Sequence, residues 1–117
     1  MIAITYYDFS MQVRRLFKDL GPRQANVMHA AVGLAGEGGE CLDAAKKYWA
    51  YNKPLDEANV KEELGDALFY IEAMCQILGC TLEDCMKGNM EKLAKRYATG
   101  TYSDAQAQAR ADKEEGK

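Results

Sequence analysis

The chain has 117 residues, 48% of them hydrophobic, and its 15 Lys and Arg against 18 Asp and Glu give a formal charge of −3. This length suits one domain and this apolar fraction suffices for a core, which argues against disorder. The negative charge disfavours duplex nucleic acid as a partner, and the absence of a roughly 18-residue apolar run or a signal-peptide pattern predicts a cytoplasmic protein.

Helical periodicity dominates the first half of the chain. The first predicted helix begins after Thr5, which forms a capping-box pattern with Asp8, and ends at Gly21-Pro22. Its apolar positions are Phe9, Val13, Leu16, Phe17 and Leu20. The second predicted helix runs from about Gln24 to about Tyr51. One of its faces carries Val27, Ala30, Leu34, Cys41, Ala45 and Tyr48.

Three further helices are predicted in the second half. The third begins near Asp56 and ends before Gly79, a residue suited to a left-handed C-cap. Its apolar stripe consists of Val60, Leu64, Ala67, Leu68, Ile71, Met74, Cys75 and Leu78. The fourth begins at the Thr81 and Asp84 capping pattern and ends at 99–101. Its inward-facing positions are Leu82, Met86, Leu93 and Tyr97. Ser103 is expected to cap a short fifth helix reaching Ala111.

These elements predict an all-α fold, because strand signals are nearly absent. Four main amphipathic helices with short connections favour an antiparallel four-helix bundle with a short C-terminal fifth helix. We expect residues 1–111 to form one domain and residues 112–117 to form a charged, frayed tail.

The cysteines do not favour a zinc site. There are four, Cys41, Cys75, Cys80 and Cys85, none of them in a Cys-x-x-Cys pair, and His29 is the only histidine. Reduced and mostly buried thiols are therefore expected.

Acidic residues occur where an amphipathic helix is normally apolar. Glu37 lies in the middle of the apolar face of the second helix, with Glu40 one turn on, and Glu63 and Asp66 border the apolar face of the third. Such carboxylates repel one another by several kcal/mol at low dielectric, and a hard divalent cation removes that repulsion. The alternative is an ordinary solvated acidic face, which is the interpretation given to Glu57, Glu62 and Glu72.

Two further patterns accompany the carboxylates. The second helix contains four glycines close to the acidic pair, namely Gly33, Gly36, Gly38 and Gly39. Each destabilises the helix by about 0.5–1 kcal/mol relative to alanine. Their presence indicates close approach of a backbone, a metal or a ligand, and close helix packing alone is the alternative. On the fourth helix a polar stripe of Asn89, Lys92 and Arg96 is either a solvated edge or a phosphate-binding edge, to which Lys46 and Lys47 would add.

Together these segments resemble the MazG-like nucleotide pyrophosphohydrolases. The resemblance rests on GLAGEGGE at residues 33–40, EELGDALFY at 62–70 and NMEKLAKRY at 89–97. Their acidic pairs are Glu37-x-x-Glu40 and Glu63-x-x-Asp66, separated by 22 residues, and the third segment follows the family's Asn-x-x-Lys-Leu-x-x-Arg-Tyr pattern. It covers roughly residues 25–110.

The resemblance implies an all-α nucleoside triphosphate pyrophosphatase that cleaves between the α and β phosphates. Mg²⁺ or Mn²⁺ is then required, with more than one ion expected, and Glu37, Glu40, Glu63 and Asp66 are the implied ligands. Lys46, Asn89, Lys92, Arg96 and Tyr97 are the implied contacts to phosphates or sugar. The family also implies a homo-oligomer, either a dimer or a dimer of dimers. Glu40 or Glu37 is our candidate for the proton acceptor.

Several alternatives stay open at this point. A di-iron bundle requires Glu-x-x-His motifs, which this sequence lacks. A non-catalytic helical interaction protein and a nucleotide-binding regulator are the others, although the regulator is disfavoured because all four acidic positions are intact. The base preference is unassigned: a purine deoxynucleotide such as dGTP is the first to test, with Asn26, His29, Trp49 and Tyr51 as weak candidates for base contacts.

The proposed site also changes the meaning of the net charge. Without the four carboxylates the chain has 14 acidic against 15 basic residues. Bound divalent ions would therefore make a small polyphosphate a suitable ligand, although duplex nucleic acid remains disfavoured.

Overall fold

A computed structural model describes residues 3–114, and this range is helical without a strand, which confirms the all-α prediction. The helices are α1 (Tyr6–Leu16), α2 (Arg23–Ala50), α3 (Glu57–Leu78), α4 (Leu82–Arg96), α5 (Asp104–Ala109) and α6 (Ala111–Glu114). They divide into two compact units, one with α1–α3 and the other with α4–α6. In the range described, none of them combines the length and apolarity needed to cross a membrane. The four-helix bundle arrangement stays a prediction.

Side-chain caps fix most helix ends where the sequence predicts them. Thr5 and Thr81 each form a reciprocal capping box, with Asp8 and Asp84 respectively. Asp56 accepts a hydrogen bond from the Asn59 backbone N–H at 3.1 Å, which satisfies one of the unpaired donors at the start of α3. The end of α3 is set by Gly79, whose φ of 73° places it in the left-handed region.

The first helix is shorter than predicted. It ends at Leu16 rather than near Leu20, and Phe17 has an extended backbone. The Leu20 N–H donates to Asn26 Oδ1 and the Gly21 N–H donates to Asp19 Oδ1, both at 2.8 Å. These side-chain acceptors offer the backbone an alternative to helical hydrogen bonds, which is the usual effect of Asp and Asn.

The first unit is built on an antiparallel pair, α2 and α3, with α1 packed against α3. Its buried apolar residues are Val13, Ala30, Ala73 and Cys75. The two long helices meet through small side chains, since Ala30 is buried and the ring of Tyr70 lies directly over Gly33. A narrow contact of this kind leaves large side chains outside it.

Several predicted core positions are therefore exposed. On α2, Leu34 and Tyr48 are exposed, and on α3 so are Leu64, Leu68 and Leu78. The sequence pattern identified amphipathic helices but placed the contact on the bulky residues of each face. The close approach instead occurs where Gly33 meets the ring of Tyr70, one turn from buried Ala30.

Glu72 corrects another prediction. It was expected on a solvated face, yet only 2% of it is exposed. The hydroxyl of Tyr6 donates to its Oε1, while Ser10 Oγ and Gln76 Nε2 donate to its Oε2 at 2.7 and 2.9 Å. Gln76 Nε2 also reaches the backbone oxygen of Ser10 at 2.9 Å. This carboxylate therefore joins α1 to α3.

A partly buried ion pair joins α4 to α6 in the second unit. Arg96 donates from Nε and Nη2 to the two carboxylate oxygens of Asp112, at 2.7 and 3.1 Å. Asp112 lies in α6, so the segment expected to be frayed is helical as far as Glu114; residues 115–117 lie outside the described residues. Ser103 caps α5 as predicted, and Arg110, with φ at 49°, separates α5 from α6.

Candidate metal centre

The facing surfaces of α2 and α3 bring three carboxylates together. Glu37, Glu63 and Asp66 each place an oxygen within 4.8 Å of the others. The antiparallel pairing explains this proximity. Gly33 on α2 contacts Tyr70 on α3, so Glu37, one turn after Gly33, comes to lie near Asp66, one turn before Tyr70. The sequence prediction of acidic pairs on neighbouring antiparallel helices is thus reproduced for these three residues.

Two oxygens in this cluster are buried and accept no hydrogen bond. They are Oε2 of Glu37 and Oε2 of Glu63, and only 7% of Glu63 is exposed. A buried carboxylate oxygen without a donor is costly, and a cation is one of the few partners that can offset the cost. Oxygen ligands of this type suit hard divalent cations such as Mg²⁺ and Mn²⁺. The residues present therefore fit the Mg²⁺ or Mn²⁺ predicted from the sequence.

The carboxylates also oppose each other's ionisation. Close hydrogen-bonding contact with Glu63, followed by its charge, raises the pKa of Glu40. The same type of contact with Glu37, together with burial, raises the pKa of Glu63. Two ionised carboxylates have no proton to share, so their proximity favours the form in which one is protonated.

Glu40 lies beside this cluster at the edge of an open cleft. The cleft has a volume of about 480 Å³. Its lining residues are Gly36, Gly39, Glu40, Asp43, Asn59 and Glu63. Asp43, which was not predicted from the sequence, follows Glu40 by about one helical turn, and its Oδ2 forms an ion pair with Lys47 Nζ at 3.0 Å. Its i+3 spacing from Glu40 was the available signal.

The glycines of α2 differ in their surroundings. A Cβ on Gly33 would lie 2.3 Å from Cε1 of Tyr70, whereas a Cβ on Gly36, Gly38 or Gly39 would meet no atom within 4 Å. Close approach of a neighbour is therefore confirmed at Gly33 alone. Gly36 and Gly39 instead leave open space beside the carboxylates.

The residues expected to contact phosphates lie on α2 and at α4. Lys46 is exposed on α2, and Asn89 and Lys92 are exposed on α4 in the second unit. Arg96 is engaged by Asp112, a partner that the sequence did not indicate. Tyr97 caps the C-terminal end of α4, and its ring lies 5.6 Å from that of Tyr102.

The weak candidates for base contacts have mostly structural surroundings. Asn26 donates to Asp19 Oδ1 at 3.0 Å within the loop after α1. The His29 ring stacks on Phe17 with centroids 4.4 Å apart. Trp49 is 87% exposed and Tyr51 is also exposed.

Comparison with known proteins assigns the family. The model of the MazG nucleotide pyrophosphohydrolase domain matches residues 27–100, which include all four acidic positions and the third motif. No curated protein and no solved structure matches the chain. The matched region covers more than half of the sequence and holds the carboxylate cluster of α2 and α3, so the chain belongs to the MazG family of nucleotide pyrophosphohydrolases.

Proposed function

We propose that this enzyme hydrolyses nucleoside triphosphates at the α–β phosphate bond, releasing a nucleoside monophosphate and pyrophosphate, and that Mg²⁺ or Mn²⁺ is required. Glu37, Glu40, Glu63 and Asp66 are the proposed ligands, for more than one ion. The observation that carries this proposal is the pair of buried oxygens, one on Glu37 of α2 and one on Glu63 of α3, that accept no hydrogen bond. When bound, such ions neutralise phosphate charge and make water a better nucleophile.

Glu40 is the proposed proton acceptor for the attacking water. It is exposed at the edge of the cleft and contacts Glu63, but it is not one of the three residues whose carboxylate oxygens all lie within 4.8 Å of one another. Glu37 is the less favoured candidate, because its Oε2 is buried.

The basic residues of α4 are proposed to hold the phosphates. The Arg96 guanidinium has five N–H donors and uses two of them on Asp112, so its orientation is fixed while donors remain for an anion. Lys92 would add a second positive charge, with Asn89 and Tyr97 contacting phosphate or sugar. Lys46 on α2 is the remaining proposed contact.

We also propose that the protein is a homo-oligomer. Many large apolar side chains of α2 and α3 are exposed, among them Met28, Val32, Leu42, Leu64 and Leu68. An open, mostly apolar groove of about 620 Å³ begins at Arg23 on the first turn of α2. Apolar surface of this extent is typical of a protein interface. Sedimentation velocity tests this proposal, and a single monomeric species at micromolar concentration would contradict it.

A purine deoxynucleotide such as dGTP is the proposed substrate, and a nucleotide panel tests it. All eight common ribo- and deoxynucleoside triphosphates are incubated with Mg²⁺ or Mn²⁺, and pyrophosphate and orthophosphate are measured separately. We expect pyrophosphate with a preference for a purine deoxynucleotide. Orthophosphate as the direct product would overturn the proposed bond cleavage. Nucleotide-dependent stabilisation without any product would instead favour the non-catalytic binding alternative.

Substitutions in the cluster test the metal assignment. Glu63→Gln and Asp66→Asn should each lower pyrophosphate release by about 100-fold or more, since loss even of outer-shell metal partners costs 10–100-fold. Glu62→Gln is the matched control, because Glu62 is exposed on the same helix and lies outside the cluster. Near-normal activity of folded Glu63→Gln protein would disprove the assignment.

A further inference from the structure

The C-terminal end of α3 carries a feature that the hydrolase activity does not use. The Cys80 N–H donates to the Cys75 carbonyl at 3.0 Å, and the Gly79 N–H donates to the Gln76 carbonyl at 3.2 Å. With Gly79 in the left-handed region, these two bonds define a Schellman motif. This motif brings together the side chains of its first and last residues, which here are two cysteines.

The two thiols are close and differ in accessibility. The sulfur atoms of Cys75, Cys80 and Cys85 all lie within 4.8 Å of one another, and the Schellman motif fixes the backbone of the first two. Cys75 is 3% exposed and Cys80 is half-buried, and neither is in a disulfide. A disulfide has an S–S length of about 2.05 Å, so rotation about the side-chain bonds must close a gap of no more than about 2.8 Å.

We propose that Cys75 and Cys80 form a dithiol that a peroxide or a small disulfide oxidises to an intramolecular disulfide. With hydrogen peroxide, the more accessible Cys80 sulfur attacks one peroxide oxygen, which gives a sulfenic acid and water. The Cys75 sulfur then attacks the Cys80 sulfur, the S–O bond breaks, and hydroxide leaves as water with the Cys75 proton. Each sulfur loses one electron, and two water molecules form in total.

Oxidation would close a covalent ring around the last turn of α3. Gln76 lies inside this ring and donates to both Ser10 and Glu72, so the ring includes a residue that holds α1 on α3. The carboxylate cluster lies more than two helical turns earlier on α3. The modification therefore concerns the α1–α3 contact and is independent of the proposed metal site.

Thiol counting with mass spectrometry tests the proposal on the full chain. A Cys41→Ser, Cys85→Ser double variant keeps only the pair. After mild peroxide or oxidised glutathione treatment, we expect it to lose both alkylatable thiols and 2 Da, to remain monomeric on a non-reducing denaturing gel, and to recover with dithiothreitol. Retention of both thiols, or a disulfide between chains, would overturn the proposal.

The matched test is made in the Cys85→Ser background, because the Cys85 sulfur lies within the same distance of Cys75. Cys85→Ser should lose two thiols on oxidation, whereas the double variant with Cys80→Ser added should retain all its remaining thiols. A disulfide that still forms in the double variant would show that Cys75 pairs elsewhere and would overturn the assignment. Phenylarsine oxide, which bridges two thiols with loss of water, gives a readout without an oxidant. It should bind Cys85→Ser one to one and bind the double variant at least tenfold more weakly, and equal binding would contradict the proposal.

Discussion

Gly33→Ala is the sharpest test of how α2 and α3 approach each other. The new methyl group would lie 2.3 Å from Cε1, 2.4 Å from Cδ1 and 2.5 Å from Cζ of Tyr70. Carbon atoms in ordinary contact are about 3.5–4.0 Å apart, so the ring or the helix must move by at least about 1.2 Å. Tyr70 is half-buried and its ring packs edge-on against Phe69, with centroids 5.4 Å apart, which limits its movement.

The free energy of unfolding measures the consequence. Overpacking of this kind costs about 1–3 kcal/mol, whereas replacing a glycine inside a helix by alanine gains about 0.5–1 kcal/mol. Gly38→Ala is the matched control, because it makes the same change on the same helix with no atom within 4 Å. The helix-propensity gain is common to both variants. Their difference in stability should therefore equal the overpacking cost, about 1–3 kcal/mol.

Urea denaturation in the presence of EDTA gives this difference directly. Because Gly33 precedes Glu37 by one turn and Tyr70 follows Asp66 by one turn, Gly33→Ala should also weaken stabilisation by Mg²⁺, measured as the shift in Tm. Gly38→Ala should leave that shift unchanged. If Gly33→Ala is as stable as Gly38→Ala, the close contact between α2 and Tyr70 is wrong.

Three other outcomes are expected. In EDTA, the raised pKa values of Glu40 and Glu63 give a stabilising contribution that is present below the ordinary glutamate pKa of 4.5 and is lost as the pH rises through the raised values. The Tm of Glu63→Gln should therefore exceed that of wild type by an amount that grows with pH. A difference in Tm that does not change with pH would contradict this. Tyr6→Phe should cost about 1.5–3 kcal/mol at neutral pH by removing a donor from buried Glu72. Burial raises the pKa of Glu72, but the hydrogen bonds from Tyr6, Gln76 and Ser10 outweigh burial and lower the pKa overall. The stability cost of Tyr6→Phe should therefore shrink only as the pH falls through that lowered pKa. A cost that stays constant down to acid denaturation would refute the pairing of Tyr6 with Glu72. Val13→Ala should cost about 2 kcal/mol in urea denaturation, because Val13 is fully buried, and an unchanged midpoint would show that α1 does not pack as described.

Local signals in the sequence were sufficient for the helices themselves. The capping residues act within their own helical turn, and the three that were predicted, Thr5, Thr81 and Ser103, do cap their helices. Asp56, predicted only as the start of α3, is also a cap. The predicted end of α1 was wrong because the true end depends on Asn26, which lies on the next helix and accepts a hydrogen bond from the Leu20 N–H. A hydrogen bond between two elements of this kind cannot be predicted from the residue pattern of one helix alone.

The site was predictable to the extent that it follows helical spacing. Glu37, Glu63 and Asp66 meet because each occupies the contact face of its own helix. Glu72 has the same chemistry and similar spacing, and it was assigned wrongly, because its partners Tyr6 and Ser10 come from a distant part of the chain. Tertiary donors decide which carboxylates are solvated and which are buried.

Helix α3 thus carries two buried acids of opposite character, Glu63 and Glu72. A cation approaching Glu72 would have to displace donors from Tyr6, Ser10 and Gln76, whereas one approaching Oε2 of Glu63 would displace none. The position at which an ion can bind along α3 is thus set by which carboxylate lacks donors, since hydroxyl and amide groups already bind Glu72. In an engineered chain, removing those three donors is the direct way to recruit a second metal to the same helix. Adding donors around Glu63 should weaken ion binding at the proposed centre while leaving every acidic residue in place.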